Sequence, residues 1–185
     1  MRVLVACEFS GVVRDAFASR GHDAWSCDLL ETEKPGNHIV GDALEVASRS
    51  GWDLMIAHPP CTYLAASGAR WWSSRVQEQR EAVEFVRSLL GMPIRSICVE
   101  NPVGCLTKAI RPPCQYIQPW EHGHGETKKT GLWLEGLPDL LPSRMVGGRI
   151  PRTHSESPGP DRWKRRSRTL PGIARAMADQ WGSDL

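Results

Sequence analysis

Two apolar patterns alternate along the chain. Short apolar-rich runs at Arg2 to Ala6, Ala24 to Cys27, Leu54 to Ala57 and Ile94 to Val99 have the length and composition of buried strands. Between them, apolar residues recur at helical spacing. Val12, Val13, Ala16 and Phe17 form one stripe, with Gly21 as its expected C-cap. Val76, Val83, Val86, Leu89 and Leu90 form a second within a helix from Arg75 to Leu90, stopped by Gly91-Met92-Pro93. Ile173, Ala174, Met177, Ala178 and Trp181 form a third, opened by Pro171. A shorter helix is expected at Leu44 to Arg49, and further strands at Ile39-Val40 and Gly131 to Leu134. Thr62 to Ser74, which holds Trp71 and Trp72, reads as a mobile loop over a site. Pro102 to Trp120 and Leu137 to Gly159 read as irregular. Alternation of strands and helices predicts an α/β fold with a mostly parallel sheet and helices on both faces.

In such sheets ligands bind beyond the carboxyl ends of the strands, so the residues there carry the chemistry. Asp28 closes the second run, Gly41-Asp42-Ala43 the third, His58-Pro59-Pro60-Cys61 the fourth and Glu100-Asn101-Pro102 the fifth. Two prolines forbid continued pairing, so Cys61 is expected just past a strand. The unit formed by the first strand, the Phe9-Ser10-Gly11 loop, a helix, a strand and Asp28 suits a nucleotide-like ligand. Valines stand where a phosphate-cradling loop has glycines, so an adenosyl ligand without phosphates fits better than a dinucleotide. Cys61 is the expected nucleophile and Glu100 the proton donor. Plainer roles stand beside these. Taken one at a time, Cys61 also reads as a structural thiol, Asp28 as a cap, Asp42 as a turn residue and Lys128 as a solvated charge.

The chain has 185 residues, enough for one domain with a real core. Its net charge of +2 is too small to imply a polyanionic partner, but its distribution is uneven. From Arg144 to Arg175 nine Lys and Arg stand against two acids. No run has the length of a membrane span and Met1 leads straight into a strand, which predicts a cytoplasmic protein of a bacterial or phage-infected cell. Six scattered cysteines suit reduced thiols, and their spacing argues against a metal site.

Taken in order, these motifs resemble the cytosine-C5 methyltransferases, and the resemblance implies a Rossmann-like fold that binds S-adenosylmethionine. Phe9-Ser10-Gly11 is similar to the start of that family's cofactor loop. Asp28 and Leu29 resemble its ribose-binding acid and adenine-packing side chain, and Asp42, beside Ala43, its adenine-binding acid. Pro59-Pro60-Cys61 resembles the nucleophile motif and Glu100-Asn101 the pair that holds the target base. Residues 123–134 resemble a Gln/Arg-rich strand, with Lys128 contacting the base or a phosphate. The helix after Thr169 resembles the last cofactor motif.

The resemblance divides the chain into a catalytic core (1–134), a short basic loop region (135–168) where relatives carry a target-recognition domain, and a returning C-terminal helix (169–185). It implies that Cys61 adds to cytosine C6 while Glu100, as a buried acid with a raised pKa, protonates N3. The implied partner is double-stranded DNA with a flipped cytosine, read in a short context and bound by a monomer. Asn101, Arg162, Lys164, Arg165, Arg166 and Arg168 are the expected nucleic-acid contacts. Three other readings remain: methylation of a free cytosine nucleotide, a silent nucleic-acid-binding module, and a thiol hydrolase using His58.

Overall fold

A computed structural model describes residues 1–183; the last two residues of the expected 169–185 segment lie outside the described residues. Its seven strands form one sheet, β1 (Arg2–Ala6), β2 (Asp23–Asp28), β3 (His38–Val40), β4 (Leu54–Ala57), β5 (Ser96–Pro102), β6 (Gln115–Ile117) and β7 (Thr130–Glu135). Their order is β3-β2-β1-β4-β5-β7-β6, with β7 antiparallel to both its neighbours and the first five strands parallel. The helices are α1 (Val12–Ala18), α2 (Ala43–Ala47), α3 (Val76–Leu90), α4 (Leu106–Ala109), α5 (Arg152–Ser155), α6 (Arg162–Ser167) and α7 (Pro171–Trp181). No helix among the described residues is long and apolar enough to cross a membrane.

The uninterrupted strands divide their side chains between two cores because successive residues point to opposite faces. Val3, Val5, Leu54, Ile56, Cys98, Leu132 and Leu134 pack with α1 and α7. Leu4, Ala6, Met55, Ala57, Ile97, Val99 and Trp133 pack with α2, α3 and α4. The central strands are therefore covered on both sides, as a parallel sheet requires.

Several expectations need correction. Helix α1 is capped at Ser19, and Gly21 lies beyond it, with a φ of 83° that lets the chain turn into β2. Val76 is exposed at the first position of α3, off the buried stripe. Thr62 to Ser74 is not an unstructured lid. Ala66–Ser74 forms a 3-10 helix, anchored by pairing of Ala65 with Gly104 and by the Ala66 amide on the Val103 carbonyl at 2.9 Å. The stretch to Trp120 contains α4 and the edge strand β6. The basic run is the helix α6, not a loop.

The boundary expected at residue 134 is crossed by the backbone. His122 pairs with Arg144 and Glu126 with Ile150, so 143–150 lies along 122–127. This double layer receives the start of α7. The Gly172 amide donates to His124 Nε2 at 2.9 Å, and a Cβ at Gly172 would sit 1.8 Å from the His122 carbonyl oxygen. Only glycine allows that approach. Burial lowers the pKa of both His122 and His124, and His124 can accept from Gly172 only when its Nε2 is unprotonated.

Two outcomes follow from the α7 junction. Gly172→Ala is expected to lower unfolding stability by about 2 kcal/mol or more, measured by urea denaturation. Because the folded pKa values of the two histidines lie below the unfolded value, their contribution is complete above about pH 6.5 and is lost as pH falls through the folded values. Melting temperature should therefore drop from pH 7.5 to 5.5. His124→Gln, which offers an acceptor that does not titrate, should flatten part of that drop.

Candidate active site

The connection after β1 leads to α1 on one face, and that after β4 leads to α3 on the other. The adjacent ends of β1 and β4 therefore open a crevice at the switch point. A cavity of about 550 Å³ lies there. Five of the expected cofactor residues line it together, Asp28, Leu29, Asp42, Ala43 and Pro60. Asp28 Oδ1 accepts the Leu30 amide at 3.1 Å, and partial burial raises its pKa. Leu29 is 76% exposed, an apolar side chain held at the rim. Asp42 is also the cap of α2: its Oδ1 accepts the Leu44 and Glu45 amides at 2.8 and 3.0 Å.

Phe9, Ser10 and Thr169 lie elsewhere, around a smaller cleft of about 30 Å³ shared with Glu8, His58, Ser167 and Arg168. Cys7 lines both spaces, with a φ of 58° that is strained for a residue other than glycine. Gly11 lines neither. With a φ of 70° it starts α1, and a Cβ there would strike the Arg14 guanidinium at 2.4 Å. The loop between β1 and α1 is held instead by Glu8. Its carboxylate, almost wholly buried, accepts the Val13 and Arg14 amides at 2.8 and 3.2 Å and the Ser10 hydroxyl at 3.2 Å.

Cys61, Glu100 and Lys128 converge at the same sheet edge. Antiparallel β7 makes this possible: Thr130 opposes Pro102, so the residues just before β7 arrive where β5 leaves. Glu100 is the last but two residue of β5 and lies within the strand, one position past the pairing of Val99 with Ala57. Its Oε2 accepts the His58 Nδ1 proton at 2.7 Å, with the Glu100 side chain 11% and the His58 side chain 8% exposed.

The raised pKa expected for Glu100 is overturned. Burial alone pushes the carboxyl up, but the His58 hydrogen bond, the Lys128 and His58 charges and the Thr130 hydroxyl outweigh it and bring it to about 2. In the free protein Glu100 is a carboxylate. Lys128 is fixed by its ammonium on the Arg166 carbonyl at 3.2 Å.

Cys61 is exposed at the mouth of this group. The surrounding protein still raises its thiol pKa, through desolvation first and then the Glu100 charge, against Lys128 and Arg166. The thiol is therefore shielded from ionising until something changes its surroundings.

Asn101 is buried, and its Nδ2 donates to the Pro59 carbonyl at 2.9 Å, so it holds the turn that presents Cys61, while its Oδ1 has no hydrogen-bond partner. The basic residues are partly occupied. Arg168 pairs with Glu33 at 2.6 Å, Arg165 pairs with Glu156, and Arg162 Nε donates to the Glu156 carbonyl at 2.8 Å. Lys164 lies over the exposed Trp163 ring, which in turn packs 5.8 Å from Phe9. Helix α6 is thus a wall of the site.

Residues the sequence reading passed over include Glu8 and Cys7, and the α3 face of Glu78, Glu81, Ala82 and Phe85 that lines the large cavity. Their i, i+3, i+4, i+7 spacing was a visible signal of a second helix face.

No family model matches the chain, and no curated protein matches it. A solved structure of an E. coli prophage-encoded protein, assigned there as a DNA modification methyltransferase, superposes with a TM-score of 0.52 at 10% identity. The superposition covers 85% of this chain and 55% of that one, so this chain spans about half of that protein's length. The fold is that of the S-adenosylmethionine-dependent methyltransferases, whose strand order it shares.

The charges around Cys61 set the direction of its response. Alkylation of Cys61 by iodoacetamide, followed by mass spectrometry across pH, should show a midpoint above that of a free cysteine. Lys128→Met should move it further up, and Glu100→Gln should move it down.

Proposed function

We propose that this chain transfers a methyl group from S-adenosylmethionine to C5 of cytosine in DNA, with Cys61 as the nucleophile. The observation that carries this reading is the convergence of a thiol, a buried carboxylate and a lysine beside a cavity of ligand size at a methyltransferase switch point. A thiol hydrolase fits less well: it needs the His58 Nε2 on the Cys61 sulfur, and that nitrogen is buried without a hydrogen-bond partner.

The cofactor residues fit an adenosyl group. Asp28 offers a carboxylate for ribose hydroxyls, Leu29 an apolar surface for a ring, and Asp42 its second oxygen for an amino group. Bound S-adenosylmethionine supplies an electrophilic methyl group. Cys61 attacks cytosine C6, making C5 nucleophilic. Glu100, as a carboxylate, accepts the cytosine 4-amino group, and Lys128 can hold the base carbonyl or a phosphate. Asn101 fixes the Pro59-Pro60 turn behind the sulfur. A duplex must flip its cytosine to present C6 to this group. Helix α6, with Arg162, Lys164, Arg165 and Arg166, and Arg168 just beyond it supply phosphate contacts.

Duplex DNA carrying 5-fluorocytosine, with the cofactor, should yield a denaturant-stable adduct with the wild type and none with Cys61→Ala. Transfer of labelled methyl to dCMP but not to duplex DNA would replace DNA by the free nucleotide as substrate. Bisulfite sequencing of plasmid from expressing cells reads the product and its context. Asp28→Ala should weaken cofactor binding about tenfold to a hundredfold, measured by calorimetry.

A further inference from the structure

Glu100 presents a difficulty for the reaction just proposed, on which this inference rests. A carboxylate cannot protonate N3 unless a proton reaches it first. We propose that His58 is the proton-holding partner of Glu100: its Nδ1 keeps the proton that the carboxyl passes to N3 of the bound cytosine.

Three observations carry this. First, His58 Nδ1 and Glu100 Oε2 are 2.7 Å apart, and both side chains are about nine-tenths buried, so their shared proton is sheltered from bulk water. Second, the hydrogen bond to the Glu100 carboxylate found among the described residues comes from His58, while the Lys128 ammonium gives one of its three hydrogens to the Arg166 carbonyl at 3.2 Å and the Thr130 hydroxyl lies 3.0 Å from the Lys128 carbonyl. Third, His58 Nε2 is buried with no partner, and His58 lines the small cleft with Cys7 through Ser10 and Ser167 through Thr169. That cleft has room for a water as acceptor, so a doubly protonated ring need not leave Nε2–H unsatisfied.

The step balances. Cys61 attacks as thiolate, its proton having left through the exposed mouth. As sulfur bonds C6, the C5=C6 pair moves to C5–C4 and the C4=N3 pair moves to N3. N3 takes a proton from Glu100, which takes the Nδ1 proton of His58, leaving a neutral imidazole. The C4=C5 pair then bonds the methyl carbon that bound S-adenosylmethionine would supply, whose bond to the sulfonium breaks with its pair to that sulfur, and the N3 pair returns to N3=C4. When the C5 proton departs to water, its pair forms C5=C6 as the S–C6 bond breaks and the thiolate leaves. N3 then gives its proton back to Glu100 and His58. The charged and titratable groups around the ring are Glu100 from β5, Lys128 from the approach to β7, Cys7 and Glu8 from the end of β1, Cys61 from its own loop, and Arg168 from the join of α6 and α7.

The test is His58→Asn, whose side-chain amide can replace the Nδ1 hydrogen bond but cannot release its proton. Single-turnover methyl transfer should fall about a hundredfold, with KM values for DNA and cofactor changed by less than about threefold. A variant rate within about threefold of wild type overturns the proposal. A second measurement needs no turnover: imidazole nitrogen NMR of the wild type should show a protected Nδ1–H that is lost in Glu100→Gln. An unprotonated Nδ1 also overturns it. A wild type that forms no adduct with 5-fluorocytosine DNA overturns the methyltransfer reading and this inference together, whereas an active wild type with an indifferent His58→Asn overturns this inference alone.

Discussion

A carboxylate buried in the end of a strand is costly unless its surroundings return what water supplied, a deficit of several kcal/mol per ion in real proteins. Glu100 is such a group, and the site is built by what it requires. His58 must come from the end of β4 to hold one oxygen. Lys128 must come from the approach to β7 to supply positive charge. Lys128 in turn is located by the Arg166 carbonyl, so α6 is placed by the same need. Four pieces of chain remote in sequence are registered to one another through this single charge. The cysteine sits in the field that results.

The sheet topology makes that registration possible. Five parallel strands alone would bring only their outgoing loops to this edge. Inserting β7 antiparallel between β5 and β6 brings an incoming loop as well, the one that holds Lys128. The helices on the two faces diverge after β1 and β4, which leaves the large cavity open beside the charged group.

The parts of this arrangement legible in the sequence were those set by local physics. β1, β2, β4 and most of β5 are short apolar runs bounded by Gly, Pro or acids, and α3 and α7 are long enough to show a stripe. Asp28, Leu29, Asp42 and Pro60 could be grouped because each ends a strand or follows one. Helix α6 was hidden because Trp163 is its only apolar residue, so it has no stripe; its place comes from polar anchors. β6 is three residues at an edge, too short for alternation to register. The charge state of Glu100 was unreadable from burial alone, since it depends on residues 42 positions before and 28 after it. Asn101 is next to Glu100 in a strand, and pleating sends neighbouring side chains to opposite faces. Its commitment to Pro59 thus follows from the register, which only the pairing with β7 reveals.

On the proposed reading, the restraint on Cys61 and the occupancy of the basic residues are two sides of one arrangement. Arg165 of α6 and Arg168 just beyond it are balanced by Glu156 and Glu33 in partly exposed pairs, each worth at most about 1 kcal/mol. A phosphate, which accepts two guanidinium hydrogen bonds at once, competes well against such a pair. Exchanging these partners acts on α6, and α6 holds Lys128 through the Arg166 carbonyl. Lys128 and Arg166 are the two charges that favour the thiolate of Cys61. A polyanion bound along α6 therefore acts on the groups that set the acidity of the nucleophile, while the free protein keeps that thiol protonated. On that reading the short basic segment would couple phosphate contact to the groups that face Cys61.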